Sequence, residues 1–592
     1  MDQIIVFIVI AFILLSLYFN WMGTALTFMV GVLVLGLFGV LTPREILIGF
    51  GNEQIWLIVV LLIIGDIIRK KGILNRFFNF VLNRKNDSPK MFRLRMMIAV
   101  APLSSFLNNT PLVAILMPYV NNWGQRYNVS SSKLLIPLSY AAILGGTLTL
   151  IGTSTNLIVN GFVESQILYT EPMSLSMFDF TLVGLPMLII GILYLHFFSD
   201  KLLPERKPPV DEVSENPRNY IVDTIVSSKS SLVGKSVQEA GLRNLKGLFL
   251  AEIYKENITI SPVLPSQIIE KGDVLSFAGD TNTISNSLRQ IDGLEPVELG
   301  MYKHKNKTKM VEVVLSHNSD MVDKTIKEMG FRSNFDAVVI AVHRNGEKVS
   351  GKIGSIRLNS GDVLLLITGE DFDKRIKSIT DFYILTKGPT YYKPQILEGT
   401  VLIGGLLIAI TLSVLKILPL FIGVSITMML AVAFKIVHPK DLNRSIDFNL
   451  VVIIALSLAL GTAMVKSGAA DIIVHGLIPL LQPFGIIGIM VGLYIVTSLL
   501  AAYITNLAAV ALIFPIALSF AHTEALNPIP FVLLIAFAAA ANFMTPMGYQ
   551  TNLMVYGPGG YKFTDYFKIG APLTIIYMIG TVGILYGVYF FK

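Results

Sequence analysis

The chain has 592 residues, 53% hydrophobic and 15% charged, with no cysteine, and a mean hydropathy of +0.65. Charge this sparse cannot cover a soluble protein of this size, so most of the chain faces lipid, and the absence of thiols excludes disulfides, iron–sulfur clusters and cysteine chemistry. Residues 201–395 hold 27 of the 47 Lys and Arg and 25 of the 40 Asp and Glu, so the net charge of +7 divides into +2 there (27 − 25) and +5 elsewhere (20 − 15); this is a soluble insert in a polytopic membrane protein, with no basic surface for nucleic acid.

Apolar windows long enough to span a bilayer fall at roughly 3–19, 23–41, 53–69, 134–160 and 178–199. Residues 3–19 lack a basic n-region and a small-residue cleavage site, so they read as a span and not a leader. After the insert the windows recur at roughly 396–413, 417–437, 447–467, 529–556 and 569–591. Each half also has a polar-broken apolar stretch before its fourth span, at 96–118 and 485–517.

Such an order invites a search for an internal repeat. Gly65 and Gly72 answer Gly461 and Gly468 at an offset of 396 (461 − 65). Asn109–Pro118 (NTPLVAILMP) answers Asn506–Pro515 (NLAAVALIFP) at 397, and Gly152–Gly161 (GTSTNLIVNG) answers Gly548–Gly557 (GYQTNLMVYG) at 396. Three matches in order at offsets within one residue of each other are beyond chance. Five spans per half, with the broken stretch re-entrant, make the two halves inverted relative to each other.

Charge orients the scheme. Arg69, Lys70, Lys71, Arg76, Arg84, Lys85, Lys90, Arg93 and Arg95 crowd the loop 69–95 against Asp87 alone, the pattern of a cytoplasmic loop. With that loop inside, residues 201–395 are cytoplasmic and both termini lie outside. Outer loops 161–177 and 520–528 contain no Lys or Arg, whereas Lys440, Arg444, Lys562 and Lys568 fall inside. Arg44, Lys416 and Lys466 lie near the outer face, against the trend.

Inverted repeats with polar-interrupted spans are transporter architecture, and the interruptions point to the binding site, because irregular backbone within a membrane needs protein, water or ligand to satisfy it. The breaks are Ser104–Pro111, Gly152–Asn156, Thr505-Asn506 and Gly548–Asn552. Carbonyls freed there suit Na⁺, and N–H groups at helix N-termini suit an anion. The residues are also those that glue and close-pack helices in any bundle, but four motifs paired by the repeat favour a site.

The two Asn-centred hairpins, the paired Gly-x-x-Thr-Asn breaks and the run Asn552–Tyr561 (NLMVYGPGGY) resemble the divalent anion–sodium symporter (DASS) family, in particular its sulfate-permease-like branch. The resemblance covers about 1–200 and 396–592. It implies an elevator-type secondary transporter, usually a homodimer in the cell membrane, that carries a divalent anion with Na⁺ and is not an enzyme. It places the anion at Asn108, Asn109, Thr110, Thr153, Ser154, Thr505, Asn506, Tyr549 and Gln550. It places Na⁺ at Ser104, Asn108, Asn109, Gly152, Asn506 and Gly548.

Two departures matter. Asn108 stands where the family usually has Ser, and Leu507 removes a hydroxyl that a dicarboxylate carrier would use, so the expected substrate is sulfate before a C4-dicarboxylate. Ser104 has Ala501 as its counterpart, so a second cation site would rely on backbone oxygens. None of the four breaks contains Lys or Arg; a dianion there is held by neutral dipoles and compensated by co-bound cations. Asp66, three residues before Arg69, reads as an interfacial ion pair and not a proton carrier, and Asp471 and Lys466 sit near a span end. Na⁺ coupling is therefore expected over H⁺.

The insert has linkers at 201–219 and 387–395 and its own repeat at an offset of 89. Leu232–Ser236 answers Met321–Thr325, and Lys271–Leu275 answers Ser360–Leu364. Each copy reads as short strands around one helix, an α+β unit, with domains at 220–297 and 298–386. These resemble tandem TrkA-C domains, the C-lobe of potassium-conductance regulators. That resemblance implies pairing of the two copies, within the chain or between protomers, and permits a nucleotide such as cyclic di-AMP in the cleft; the alternative is assembly alone. No GxGxxG follows a strand, and His304, His317 and His343 lack metal-ligand spacing. A potassium channel would need a TVGYG-type filter, and a membrane enzyme an HExxH or GxSxG motif; neither is present.

Overall fold

The computed structural model describes residues 1–19, 21–82, 88–170, 173–206, 396–437 and 448–591. Within the insert it describes 221–228, 230–242, 248–255, 258–260, 263–279, 294–296, 310–316, 319–344, 347–349, 351, 353–369, 371–376 and 381–385. Lys440, Arg444, Arg84, Lys85, Asp87, His304, His317 and the linker 387–395 lie outside the described residues.

Before the insert come α1 (Asp2–Tyr18), α2 (Thr24–Leu37), α3 (Pro43–Ile48), α4 (Glu53–Lys70), α5 (Ile73–Leu82), α6 (Pro89–Ser104), α7 (Asn109–Arg126), α8 (Leu135–Gly146), α9 (Ser154–Ser165) and α10 (Thr181–Leu202). Among its described residues the insert carries ten strands and the short helices α11 (Phe331–Phe335) and α12 (Phe372–Arg375). After it come α13 (Leu397–Val414), α14 (Leu420–Ala433), α15 (Phe448–Lys466), α16 (Ala469–Leu481), α17 (Gly485–Tyr503), α18 (Asn506–Thr523), α19 (Ile529–Ala540), α20 (Gln550–Tyr556) and α21 (Phe563–Tyr589).

Among the described residues, α10, α13, α15, α17, α18 and α21 are each long and apolar enough to cross a membrane, and α3 with α4 forms a seventh such span bent by 42°. Leu182, Leu185, Ile189, Leu193 and Phe197 make a continuous exposed stripe along α10, an apolar face that water would penalise and lipid accepts.

The order of helices repeats across the insert: α7 and α18 have 18 residues each, and α8 and α19 have 12 each. Packing between the halves is reciprocal. Helix α2 packs on α15 while α14 packs on α4; α7 packs on α20 while α18 packs on α9; α8 packs on α20 while α19 packs on α9. The final long helices, α10 and α21, pack on each other.

The windows at 134–160 and 529–556 are each two helices joined by an irregular segment, 147–153 and 541–549. The stretch 69–95, read from sequence as a loop, is corrected here: it holds α5 and the start of α6. Leu74, Phe78 and Leu82 stand four apart and are buried, an amphipathic helix too short to register as a span. Its basic residues are partly structural. Arg93 is fully buried and donates to Asp200 at 2.6 Å, Lys71 pairs with Glu398 at 2.7 Å, and Arg69 and Lys70 both pair with Asp66, at 2.6 and 2.7 Å. The expected ion pair at Asp66 is present.

In the insert, β1 (Ile221–Val226), β2 (Leu248–Lys255), β3 (Ile258–Ile260), β4 (Val274–Gly279) and β5 (Leu294–Pro296) form one antiparallel sheet; β6 (Met310–Leu315), β7 (Ala337–Arg344), β8 (Glu347–Lys348), β9 (Val363–Thr368) and β10 (Phe382–Ile384) form another. Their orders, β3-β2-β4-β1-β5 and β8-β7-β9-β6-β10, are the same order shifted by one copy. Even the bulges correspond, at Leu250/Glu252 and Val339/Ala341, as do the bridges Ser236–Ile268 and Thr325–Arg357. The copies pack on each other within the chain: Ala251 is buried among Val338, Ile340, Ala341, Leu365 and Ile367, and Arg332 donates to the carbonyls of Val263 (3.1 Å) and Leu250 (3.0 Å).

His343, on β7, is 3% exposed, a packing residue. Burial, aided by Lys348, pushes its imidazolium down to about 4 from 6.5. Below pH 6.5 the unfolded chain takes up a proton that the folded insert refuses until about pH 4, so insert stability falls as pH drops through that window, by about 3 kcal/mol in all. Limited proteolysis of the insert should accelerate between pH 6.5 and 4 in wild type and much less in His343→Phe; equal acceleration in both would refute the assignment.

Candidate functional site

The site is assembled where helices start and stop inside the bundle. Asn108 N-caps α7, its Oδ1 accepting from the Thr110 N–H at 3.2 Å, and Thr505 caps α18 by accepting from the Ala508 N–H at 3.1 Å. Such caps satisfy part of a helix start and leave other N–H groups free. Pro111 falls in the first turn of α7, where a missing N–H costs no intrahelical bond.

Two matching devices hold the irregular segments, one per half. Asn156 Nδ2 donates to the carbonyls of Thr149 (2.9 Å) and Gly146 (3.5 Å), and Asn552 Nδ2 donates to those of Asn542 (3.0 Å) and Thr545 (3.4 Å). The Thr149 hydroxyl donates to the Ser105 carbonyl, and the Thr545 hydroxyl to the Ala502 carbonyl at 3.3 Å. Each irregular segment is thereby tied to its own half's Asn-centred hairpin. In the sequence Asn156 and Asn552 stand out only as parts of the breaks, with nothing to mark this role, and Thr149, Thr545 and Ser139 do not stand out at all, although the threonines are 396 apart. Ser139 links the halves, lying 2.9 Å from the Thr551 hydroxyl and 2.7 Å from Asn552 Oδ1.

The predicted residues fall into three groups. In the first, Asn109 is 1% exposed; its Oδ1 accepts from the Ser104 hydroxyl at 2.5 Å, and its Nδ2 donates to the Tyr549 hydroxyl at 2.7 Å. That hydroxyl lies 2.9 Å from Thr153 Oγ1. Ser104 Oγ also lies 2.8 Å from the Ala142 carbonyl. Tyr549 thus joins the second half to both breaks of the first. In the second group, Thr110 donates to Gln550 Oε1 at 3.0 Å on an accessible face. In the third, Asn506, oriented as its neighbours require, donates to the carbonyls of Gly548 (2.8 Å) and Ala539 (3.2 Å).

The other predicted residues lie beside these. Asn108 and Ser154 line a small open recess with Phe106, Leu107, Ile151, Leu157 and Leu406. Thr505 serves as a cap. Gly152 is required by close approach: a Cβ there would lie 2.4 Å from the Gly146 carbonyl. The halves differ as Ala501 anticipated. Ser104 reaches the Ala142 carbonyl, whereas in the second half the Asn506 amide itself covers the Ala539 carbonyl, one residue past the position equivalent to Ala142.

Every hydrogen-bond partner named here is neutral. Helices α7, α9 and α18 begin at the site, while α6, α8, α17 and α19 end there, and helix starts bring N–H groups and helix ends carbonyls that have no partner within their own helix. The arrangement offers donors to an anion and acceptors to a cation without a fixed charge.

The sequence signature of the citrate transporter family (CitMHS) matches residues 5–525 and 406–592. The chain belongs to that family. It is 33% identical to a Chlamydomonas reinhardtii protein provisionally named a sulfur deprivation response regulator, over 92% of this chain and 95% of that one. It is 31% identical to an uncharacterized transporter of Synechocystis, over 98% and 96%. Sodium/sulfate cotransporter 1 of Chlamydomonas reinhardtii is 29% identical over 62% of this chain and 44% of its own length. The CitMHS chain is a multi-pass membrane transporter of DASS-like type, not an enzyme, and its relatives include proteins named sodium/sulfate cotransporters.

Proposed function

We propose that this CitMHS protein carries a divalent oxyanion, sulfate first, into the cell together with Na⁺. The observation that carries the reading is the neutral contact of Asn109 and Thr153 with Tyr549, which joins broken helices of both halves at one point. Neutral dipoles balance a dianion poorly, so bound Na⁺ supplies the charge, and each species binds better with the other present. In this reading Asn108, Asn109, Thr110, Thr153, Ser154, Thr505, Asn506, Tyr549 and Gln550 receive the anion. Ser104, Asn108, Asn109, Gly152, Asn506 and Gly548 supply oxygens to Na⁺. Reciprocal packing of the halves supports an inverted pair with elevator-type movement, and the DASS resemblance carries the homodimer. The basic stretch 69–95 and residues 201–395 lie on the cytoplasmic side, with both termini opposite.

The test is uptake of labelled sulfate into proteoliposomes under an inward Na⁺ gradient, with succinate and citrate as competitors. Sulfate uptake that excess succinate and citrate leave standing is expected. Transport of labelled succinate or citrate in place of sulfate would overturn the substrate and favour a Na⁺-coupled carboxylate carrier.

The insert reads as two TrkA-C-like domains that regulate transport, with cyclic di-AMP among the nucleotides their cleft would take. Support comes from where the second copy sits. A Cβ on Gly557, just past α20, would lie 2.5 Å from Val363 Cγ2 and 2.7 Å from the Gly361 carbonyl. Val314, Val363 and Leu385 are buried in the same apolar cluster as the membrane helices. Helix α20 begins at Gln550, so the insert presses on the element that carries the site. Val363→Asp, which changes no transport residue, should alter uptake at least twofold, while Lys562→Ala, breaking an exposed pair with Glu347, should not. Wild-type uptake in Val363→Asp would reduce the insert to assembly.

A further inference from the structure

Asn542 is 1% exposed, and among the described residues neither its Oδ1 nor its Nδ2 has a hydrogen-bond partner. A buried amide with both ends unmatched is rare and asks for a ligand. Its side chain fills the space beside Gly548: a Cβ there would lie 2.1 Å from Asn542 Nδ2 and 2.8 Å from Oδ1. Gly548 is the residue whose carbonyl, with that of Ala539, faces the Asn506 amide at 2.8 and 3.2 Å.

The repeat gives the position meaning. Asn156 and Asn552 hold the carbonyls of Gly146 and Asn542 respectively, so Asn542 is the counterpart of Gly146. A Cβ at Gly146 would lie 2.7 Å from Asn109 Oδ1, so this position points at its half's central Asn. The first half places a hydroxyl on that Asn from Ser104 and leaves Gly at 146. The second half has Ala at 501 and an amide at 542. The polar atom has moved from one wall of the same space to the other.

We propose that Asn542 is a cation ligand of the second half: its Oδ1, with Asn506 Oδ1 turned inward and the carbonyls of Ala539 and Gly548, holds one Na⁺ in a neutral oxygen cage, replacing the hydroxyl lost at Ala501. Hard oxygen donors without charge suit a monovalent hard cation, and the inward turn of Asn506 exchanges two hydrogen bonds for ion contacts. The proposal rests on the Na⁺-coupled reading above.

The test is the thermal unfolding midpoint of the purified full-length protein, titrated with NaCl at constant ionic strength against choline chloride. Wild type should rise with Na⁺. Asn542→Gly, or Asn542→Ser should Gly fold poorly, should need at least fivefold more Na⁺ for half the rise. Ala501→Ser combined with Asn542→Gly, which rebuilds the first-half pattern, should return to within twofold of wild type. A lower midpoint with an unchanged Na⁺ titration would make Asn542 merely structural and overturn the proposal, as would failure of the double variant to recover. A wild type indifferent to Na⁺ would overturn the coupled reading itself.

Discussion

Asn109→Ala abolishes Na⁺-driven anion uptake, with at least a tenfold loss, while the protein remains folded and in the membrane. The amide does two things that no neighbour can take over. Its oxygen lies 2.5 Å from the Ser104 hydroxyl and its nitrogen 2.7 Å from the Tyr549 hydroxyl, so truncation removes an oxygen of the proposed Na⁺ site and the donor that ties the second half to the first. Ser104 keeps the Ala142 carbonyl and Tyr549 keeps Thr153, so the structural loss stays at about 1–3 kcal/mol, the range for a buried hydrogen-bonding group. Asn109→Asp separates the two roles. It keeps an oxygen in place, loses the donor and adds a charge that repels the anion, so uptake fails there as well. Purified protein with an unfolding midpoint close to wild type, reconstituted and assayed for uptake, checks both. More than half the wild-type rate in Asn109→Ala would remove this residue from the site.

Adjacent glycines on α8 should fail in different ways. A Cβ on Gly145 would lie 2.2 Å from the Ala101 carbonyl oxygen and 2.7 Å from its Cα. Both are main-chain atoms of α6, which can yield only by moving the helix. Gly145→Ala therefore forces α6 and α8 apart, at a cost on the order of 3 kcal/mol, and lowers both yield and unfolding midpoint. A Cβ on Gly146 would lie 2.7 Å from Asn109 Oδ1 and 2.8 Å from its Nδ2. A side chain can swing away where a backbone cannot, so Gly146→Ala keeps the fold and displaces the Asn109 amide. It should reproduce the uptake defect of Asn109→Ala with a midpoint well above that of Gly145→Ala. Full uptake in Gly146→Ala, or a greater loss of stability there than at 145, would contradict the geometry.

Much of this was legible in the sequence because it is written in features that periodicity and punctuation reveal. Apolar runs announce the long helices, and the breaks at Ser104–Pro111 and Gly152–Asn156 stand out as polar interruptions that recur at one offset. The same logic found the insert's repeat, whose second sheet repeats the first strand for strand. Helix α5 was hidden because ten residues with charges around them look like a loop until Leu74, Phe78 and Leu82 are seen on one face. The contact of Asn109 with Tyr549 spans 440 residues, and no local pattern encodes which break of one half meets which break of the other. Asn542 was invisible for a different reason. A repeat search rewards identity, and its counterpart is Gly146; only when Asn156 and Asn552 are seen gripping equivalent carbonyls does the exchange of a glycine for an amide acquire meaning.

The decisive measurement is concentrative uptake. Proteoliposomes holding the purified protein are given equal labelled sulfate on both sides, then either an inward Na⁺ gradient or an inward proton gradient without Na⁺. Sulfate is expected to accumulate above its outside concentration only under the Na⁺ gradient, and Asn109→Ala to abolish the accumulation. Accumulation under the proton gradient alone would contradict it, and would require an acidic residue such as Asp66 to leave its ion pair with Arg69 and Lys70 and carry the proton.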